Sequence, residues 1–105
     1  MKQMVFLGGD ARMQAASAAL RREGYAIRHV LTAADEGLEA CLAQAEVLVL
    51  PVPAFTSEGE VRGCEGLNWA SLRPRLRAEC LLCGGGLSGV DWPRKVDFLA
   101  DETFA

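Results

Sequence analysis

At 105 residues, half of them hydrophobic and 24% charged, the chain has room for one globular domain with a real core and little else. A formal net charge of −3 with no lysine or arginine cluster argues against a nucleic-acid binder. No apolar run approaches the ~20 residues of a membrane helix. Met1-Lys2-Gln3 leads almost directly into a strand, which leaves no space for a signal peptide and implies a cytoplasmic protein.

The first strand is expected over Gln3 to Gly8, around the apolar Met4-Val5-Phe6-Leu7. It turns on Gly8-Gly9 into a helix from about Ala11 to Glu23, with Asp10 as N-cap and Gly24 as C-terminal stop. The inward face of that helix is read as Met13, Ala16, Ala19 and Leu20. A second strand follows over Tyr25 to Val30, then a helix over Asp35 to Ala45 with Leu38, Cys41, Leu42 and Ala45 at helical spacing. The third strand, Glu46 to Pro51, holds the uniformly apolar Val47-Leu48-Val49-Leu50 of a strand covered on both faces. After a long polar connection, Asn68 to Ala78 is expected to be helical with a break at Pro74. Strands over Glu79 to Gly84 and Lys95 to Leu99 close the chain.

This alternation predicts an α/β fold, a doubly wound, mostly parallel five-stranded sheet in a flavodoxin/Rossmann-like three-layer sandwich. Ligands of such sheets collect at the carboxyl ends of the strands, near the point where strand order reverses. Three loops converge there: Gly8 to Arg12, Pro51 to Gly66, and Gly84-Gly85-Gly86 with Leu87-Ser88-Gly89. At the first, amides free at the helix start attract anions. Arg12 sits in the first turn, where a cation opposes the helix dipole, so a carboxylate or phosphate is expected beside it. The alternative is a tight βα turn with a surface arginine. The loop lacks the third glycine of a dinucleotide fingerprint and the Gly-Lys-Ser/Thr of a phosphate-binding loop. Glu58-Gly59 offers a carboxylate on a turn, and the triple glycine removes side chains where a ligand or second domain would come close.

Cys41, Cys64, Cys80 and Cys83 are expected to be reduced. Cys80-Leu81-Leu82-Cys83 has the spacing of a redox or zinc half-site, but its apolar surroundings favour buried strand cysteines. No metal site is expected. His29, the one histidine, is read as structural.

Taken together, Leu7-Gly8-Gly9-Asp10-Ala11-Arg12, Leu50-Pro51-Val52-Pro53, Glu58-Gly59, Gly84-Gly85 and the closing Asp97-Phe98-Leu99-Ala100-Asp101-Glu102 resemble the dipicolinate synthase family. The resemblance is to the amino-terminal domain of its dehydrogenase-like subunit. It covers nearly the whole chain, and its specific part is the G-G-D-A-R loop. It implies an oxidoreductase of spore-forming bacteria that oxidises a dihydrodipicolinate-type dicarboxylate to dipicolinate with NADP. It also implies a partner, the second, flavoprotein-like subunit of dipicolinate synthase, and a further Rossmann domain that holds the nucleotide. This chain would then be a substrate-side fragment, inactive alone and with no cofactor of its own. A homo-oligomer is left open.

On that resemblance Gly8, Gly9, Ala11, Arg12, Pro51, Glu58, Gly84 and Gly85 become substrate-binding candidates, with Arg12 and the helix amides on a carboxylate. Asp10 becomes the candidate for positioning or proton removal. The competing reading is a non-catalytic flavodoxin-like binding or assembly module. A phosphorylatable receiver is disfavoured, because the third strand ends in Leu50-Pro51 rather than an aspartate.

Overall fold

Every apolar run identified in the sequence contributes a strand. In the computed structural model, which describes residues 3–87 and 89–97, the strands are β1 (Gln3–Leu7), β2 (Ala26–Val30), β3 (Val47–Val49), β4 (Leu81–Gly84) and β5 (Lys95–Asp97). They form a single all-parallel sheet in the order β2-β1-β3-β4-β5. The helices are α1 (Ala11–Arg22), α2 (Leu38–Gln44) and the single turn α3 (Trp69–Leu72), which tightens into a 3-10 turn at Arg73–Arg75. Because β1 pairs with both β2 and β3, the direction of winding reverses between β1 and β3. This is the expected α/β arrangement.

Strand register sorts the side chains into two unequal faces. On one, Val5, Leu7, Leu48, Leu50 and Leu82 are solvent-free, packed with Leu38, Cys41 and Leu42 of α2 and Leu72 of α3. Truncating one of these leucines to alanine is expected to cost roughly 2–5 kcal/mol. On the other face, α1 lies over β2, while Val47, Val49, Leu81, Cys83 and Val96 stay half-buried. Among the described residues no helix is long and apolar enough to cross a membrane.

The boundaries differ from expectation for local reasons. Strand β3 ends at Val49, although the Leu50 amide still bonds Cys83 O at 2.7 Å; Pro51 has no amide to continue the ladder. Helix α2 starts at Leu38 rather than Asp35, because Asp35 instead accepts the Gly37 amide at 2.8 Å and pairs with Arg28. The expected helix from Asn68 to Ala78 is reduced to one turn. Asn68 and Ser71 cap it reciprocally, and Pro74 ends it. The expected end of the last strand, Phe98 and Leu99, lies outside the described residues, as do Ser88 and the segment Ala100-Asp101-Glu102.

The inward face of α1 is also different. Ala16 and Ala19 are exposed, and the buried residue is Ser17, flanked by half-buried Met13 and Leu20. Ser17 Oγ bonds Gln14 O at 3.0 Å and lies 2.9 Å from His29 Nδ1. His29 Nε2 donates to Gly8 O at 2.8 Å, and its ring tilts against Phe6. The lone histidine therefore ties helix, strand and first loop together. Ser17→Ala is expected to lower unfolding free energy by roughly 1 kcal/mol in urea denaturation. A double-mutant cycle with His29→Ala should give a coupling energy on the order of 1 kcal/mol, whereas strict additivity would contradict the tie.

Candidate functional site

The crossover at β1 is shaped by backbone contact between two loops distant in sequence. Gly9 N–H donates to Arg62 O at 2.8 Å, and Gly8 N–H to Val30 O at 2.8 Å. Gly8, at φ 63°, lies so close that a Cβ would fall 2.0 Å from Arg62 O. Gly63, at φ 77°, presses on Gly9 from the other side, where a Cβ would fall 2.6 Å from Gly9 O. No side chain fits between the two loops.

Arg62 reaches this place because the long connection is folded. Residues Thr56 to Gly59 make a turn between the bridging pair Phe55 and Val61, and Glu60 bridges to Asn68. Ala54, Val61, Cys64 and Leu67 are buried beneath it. The Arg62 amide donates to Ala54 O at 2.9 Å, so both of its backbone groups are held. The third loop acts as a buttress. Gly85 N–H bonds Pro51 O at 3.2 Å, Ala54 N–H bonds Gly85 O at 2.7 Å, and Asp97 accepts the Gly86 amide at 3.0 Å.

Outside the ends of β1 and β3 this leaves a cavity of about 640 Å3. Its size lies within the roughly 300–1,000 Å3 of small-molecule sites. Phe6, Met13, Ala16, Val49 and Val52 supply an apolar floor, and Gly9, Asp10, Arg12, Pro51, Arg62 and Gly63 form the polar side. Of the residues singled out in the sequence, Gly9, Asp10, Arg12 and Pro51 meet here. Gly8 is buried behind the cavity, and Ala11 is exposed beside it. Glu58 points its turn into solvent, its amide bonded to Thr56 Oγ1 at 3.3 Å. Gly84 and Gly85 stay behind the wall: what approaches Gly84 is the chain itself, with Leu50 Cβ 3.0 Å from where a Cβ would be. On the polar side, Arg62 and Gly63 are the residues not singled out in the sequence as binding candidates, although they lie in the Pro51 to Gly66 loop expected to converge here.

The helix start is already satisfied from within. Asp10 Oδ1 accepts the Arg12 and Met13 amides at 3.0 and 3.3 Å, and Oδ2 accepts Arg12 Nε and Nη2 at 3.3 and 3.1 Å. The acid that the Arg12 dipole argument asks for is therefore Asp10 itself. The hydrogen bond from Arg12, then that from the Met13 amide, holds the Asp10 carboxyl below its usual range. An ionised carboxylate so engaged is a poor proton acceptor, which favours positioning over proton removal for Asp10. Arg12 nonetheless remains 92% exposed, with its outer edge open to solvent. Arg62 is exposed and has no ion-pair partner among the described residues.

The cysteines sit apart from this site. Cys80 lies in the main core, and burial pushes its thiol up to about 11. Cys83 belongs to the opposite, half-buried face, so the two thiols of the Cys-x-x-Cys spacing do not meet on one surface. Cys64 is raised to about 11 by burial and the charge of Asp35. Among the described residues no three His, Cys, Asp or Glu side chains gather as a metal-binding set.

Comparison of the chain with family models, curated proteins and solved structures finds no match.

Two outcomes follow from this geometry. Gly63→Ala should lower stability by about 2 kcal/mol, from left-handed strain and contact with Gly9, read by urea denaturation; a neutral effect would contradict the loop contact. Asp10 and Asp35 both titrate below their unfolded value of about 4. Their contribution is complete above that value and is lost as pH falls through the lower folded values. Thermal midpoints should therefore drop on acidification below about pH 4, and the drop should be smaller in Asp10→Asn.

Proposed function

We propose that this chain is the substrate-side domain of the dehydrogenase-like subunit of a dipicolinate synthase. That enzyme is an NADP-dependent oxidoreductase that converts a dihydrodipicolinate-type precursor to dipicolinate during sporulation. The observation that carries this reading is the cavity at the switch point, lined by Gly9, Asp10 and Arg12 of the G-G-D-A-R loop and by Pro51 of the Leu-Pro-Val-Pro segment. Those residues come from two of the segments on which the family resemblance rests, and they converge although they lie far apart in the chain.

The substrate is a small ring with two carboxylates. Phe6, Met13 and Val49 would take the ring's apolar face, while Arg12 offers its open guanidinium edge to one carboxylate. Asp10 holds that guanidinium in place through Oδ2 and fixes the helix start through Oδ1. The domain's contribution is thus orientation of the substrate and exclusion of water from one side. A dinucleotide does not fit the first crossover. Its Gly8 and Gly9 amides are spent on Val30 and Arg62 carbonyls, and the Arg12 and Met13 amides on Asp10, so none of these four is left for a pyrophosphate. In this reading, as the family resemblance implies, NADP belongs to a separate Rossmann domain and the flavoprotein-like second subunit to the assembled enzyme, in the cytoplasm.

A second reading, an assembly module, is favoured by the half-covered sheet face of Val47, Val49, Leu81, Cys83 and Val96. Titration calorimetry with dipicolinate separates the two. Heat of binding by the intact chain, lost in Arg12→Ala, supports the substrate-side domain. No binding by the intact chain would leave assembly as the better account.

A further inference from the structure

Asp10 cancels the charge of Arg12 inside the chain, so the pair brings no net charge to the cavity. Arg62 is different. It lines the same cavity from the adjoining loop, it is exposed, and no carboxylate among the described residues pairs with it. The cavity mouth therefore carries one net positive charge on a chain whose formal net charge is −3. A flexible surface arginine would mean little. This one grows from a backbone pinned on both sides, its amide on Ala54 O at 2.9 Å and its carbonyl on the Gly9 amide at 2.8 Å. The Gly8 and Gly63 contacts leave that pinned peptide no room to shift.

We infer that Arg62 is the specificity-determining residue of the site: it receives a second carboxylate on the same polar wall as Arg12 and so selects dicarboxylates over monocarboxylates. This rests on the substrate-side reading above and names a residue that reading does not use. Arg12 and Arg62 line one cavity from adjoining loops, beside the apolar Phe6 and Val49, so a ring with two acids can engage a guanidinium with each. Arg12 is half-spent on Asp10, so it alone would hold a monoacid and a diacid almost equally.

The test is an amide-shift NMR titration of the intact chain with pyridine-2,6-dicarboxylate and, separately, pyridine-2-carboxylate. Arg62→Ala and Arg62→Lys keep the peptide groups that hold the loop, so native amide dispersion is expected in both. In the parent chain the diacid should bind about tenfold more tightly than the monoacid, with shifts at Gly9, Met13 and Val49. In Arg62→Ala that ratio should fall to near one, and Arg62→Lys should restore part of it. The preference should also shrink as salt is raised. A tenfold ratio that survives Arg62→Ala overturns the role of Arg62 and leaves the proposed function standing. If neither acid shifts the cavity amides of the parent chain, the proposed function falls and the role of Arg62 with it.

Discussion

The hydrogen bond from the Gly9 amide to the Arg62 carbonyl is the constraint on which the site depends. It joins the tight turn after β1 to the excursion after β3, and three glycines bring the two backbones into contact. Without it, the ends of β1 and β3 would open onto solvent between two independent loops. With it, they share a rigid wall, and the cavity acquires a polar side opposite its apolar floor. His29 adds a second tie from below, through its bond to the Gly8 carbonyl. The loop is thus held at both glycines by groups on other elements.

This changes what the glycines are for. In the sequence, Gly8-Gly9 before a helix suggests backbone kept bare for a ligand. The structure shows bare backbone kept for Arg62 and Gly63, and in the same way Gly84 is kept small for Leu50. Both uses demand the absence of a side chain, so local sequence cannot distinguish them. The electrostatics shift accordingly. The helix amides are capped by Asp10, and positive charge at the cavity passes from the amides to guanidinium groups.

The sheet was legible because short apolar runs, cut by glycine and proline, leave little choice of strand position. Val47-Leu48-Val49 and Leu81-Leu82-Cys83 are strands for that reason. Helix α1 was legible as a helix, but not in its orientation. Polarity places Ser17 outward, and only the presence of His29 on β2 explains why it turns inward. The α3 region failed for a similar reason: the apolar pattern continued past Leu72, while Pro74 limited the hydrogen bonding. Within the site, Gly9, Asp10, Arg12 and Pro51 were legible as neighbours of strand ends. Arg62 was legible only as part of the converging Pro51 to Gly66 loop, because its place on the wall is set by a pairing across the fold that no spacing in the chain reveals. Glu58 carried a turn signal that turned out to mark only the tip of the excursion.

The joining of the two loops is most directly measured by native-state hydrogen exchange at the Gly9 amide. Held by Arg62 O between packed backbones, it should exchange at least on the order of a hundredfold more slowly than in an unstructured peptide, and Gly63→Ala should abolish that protection. Exchange at the unstructured rate in the parent chain would contradict the account, because the cavity wall would then be two separate loops.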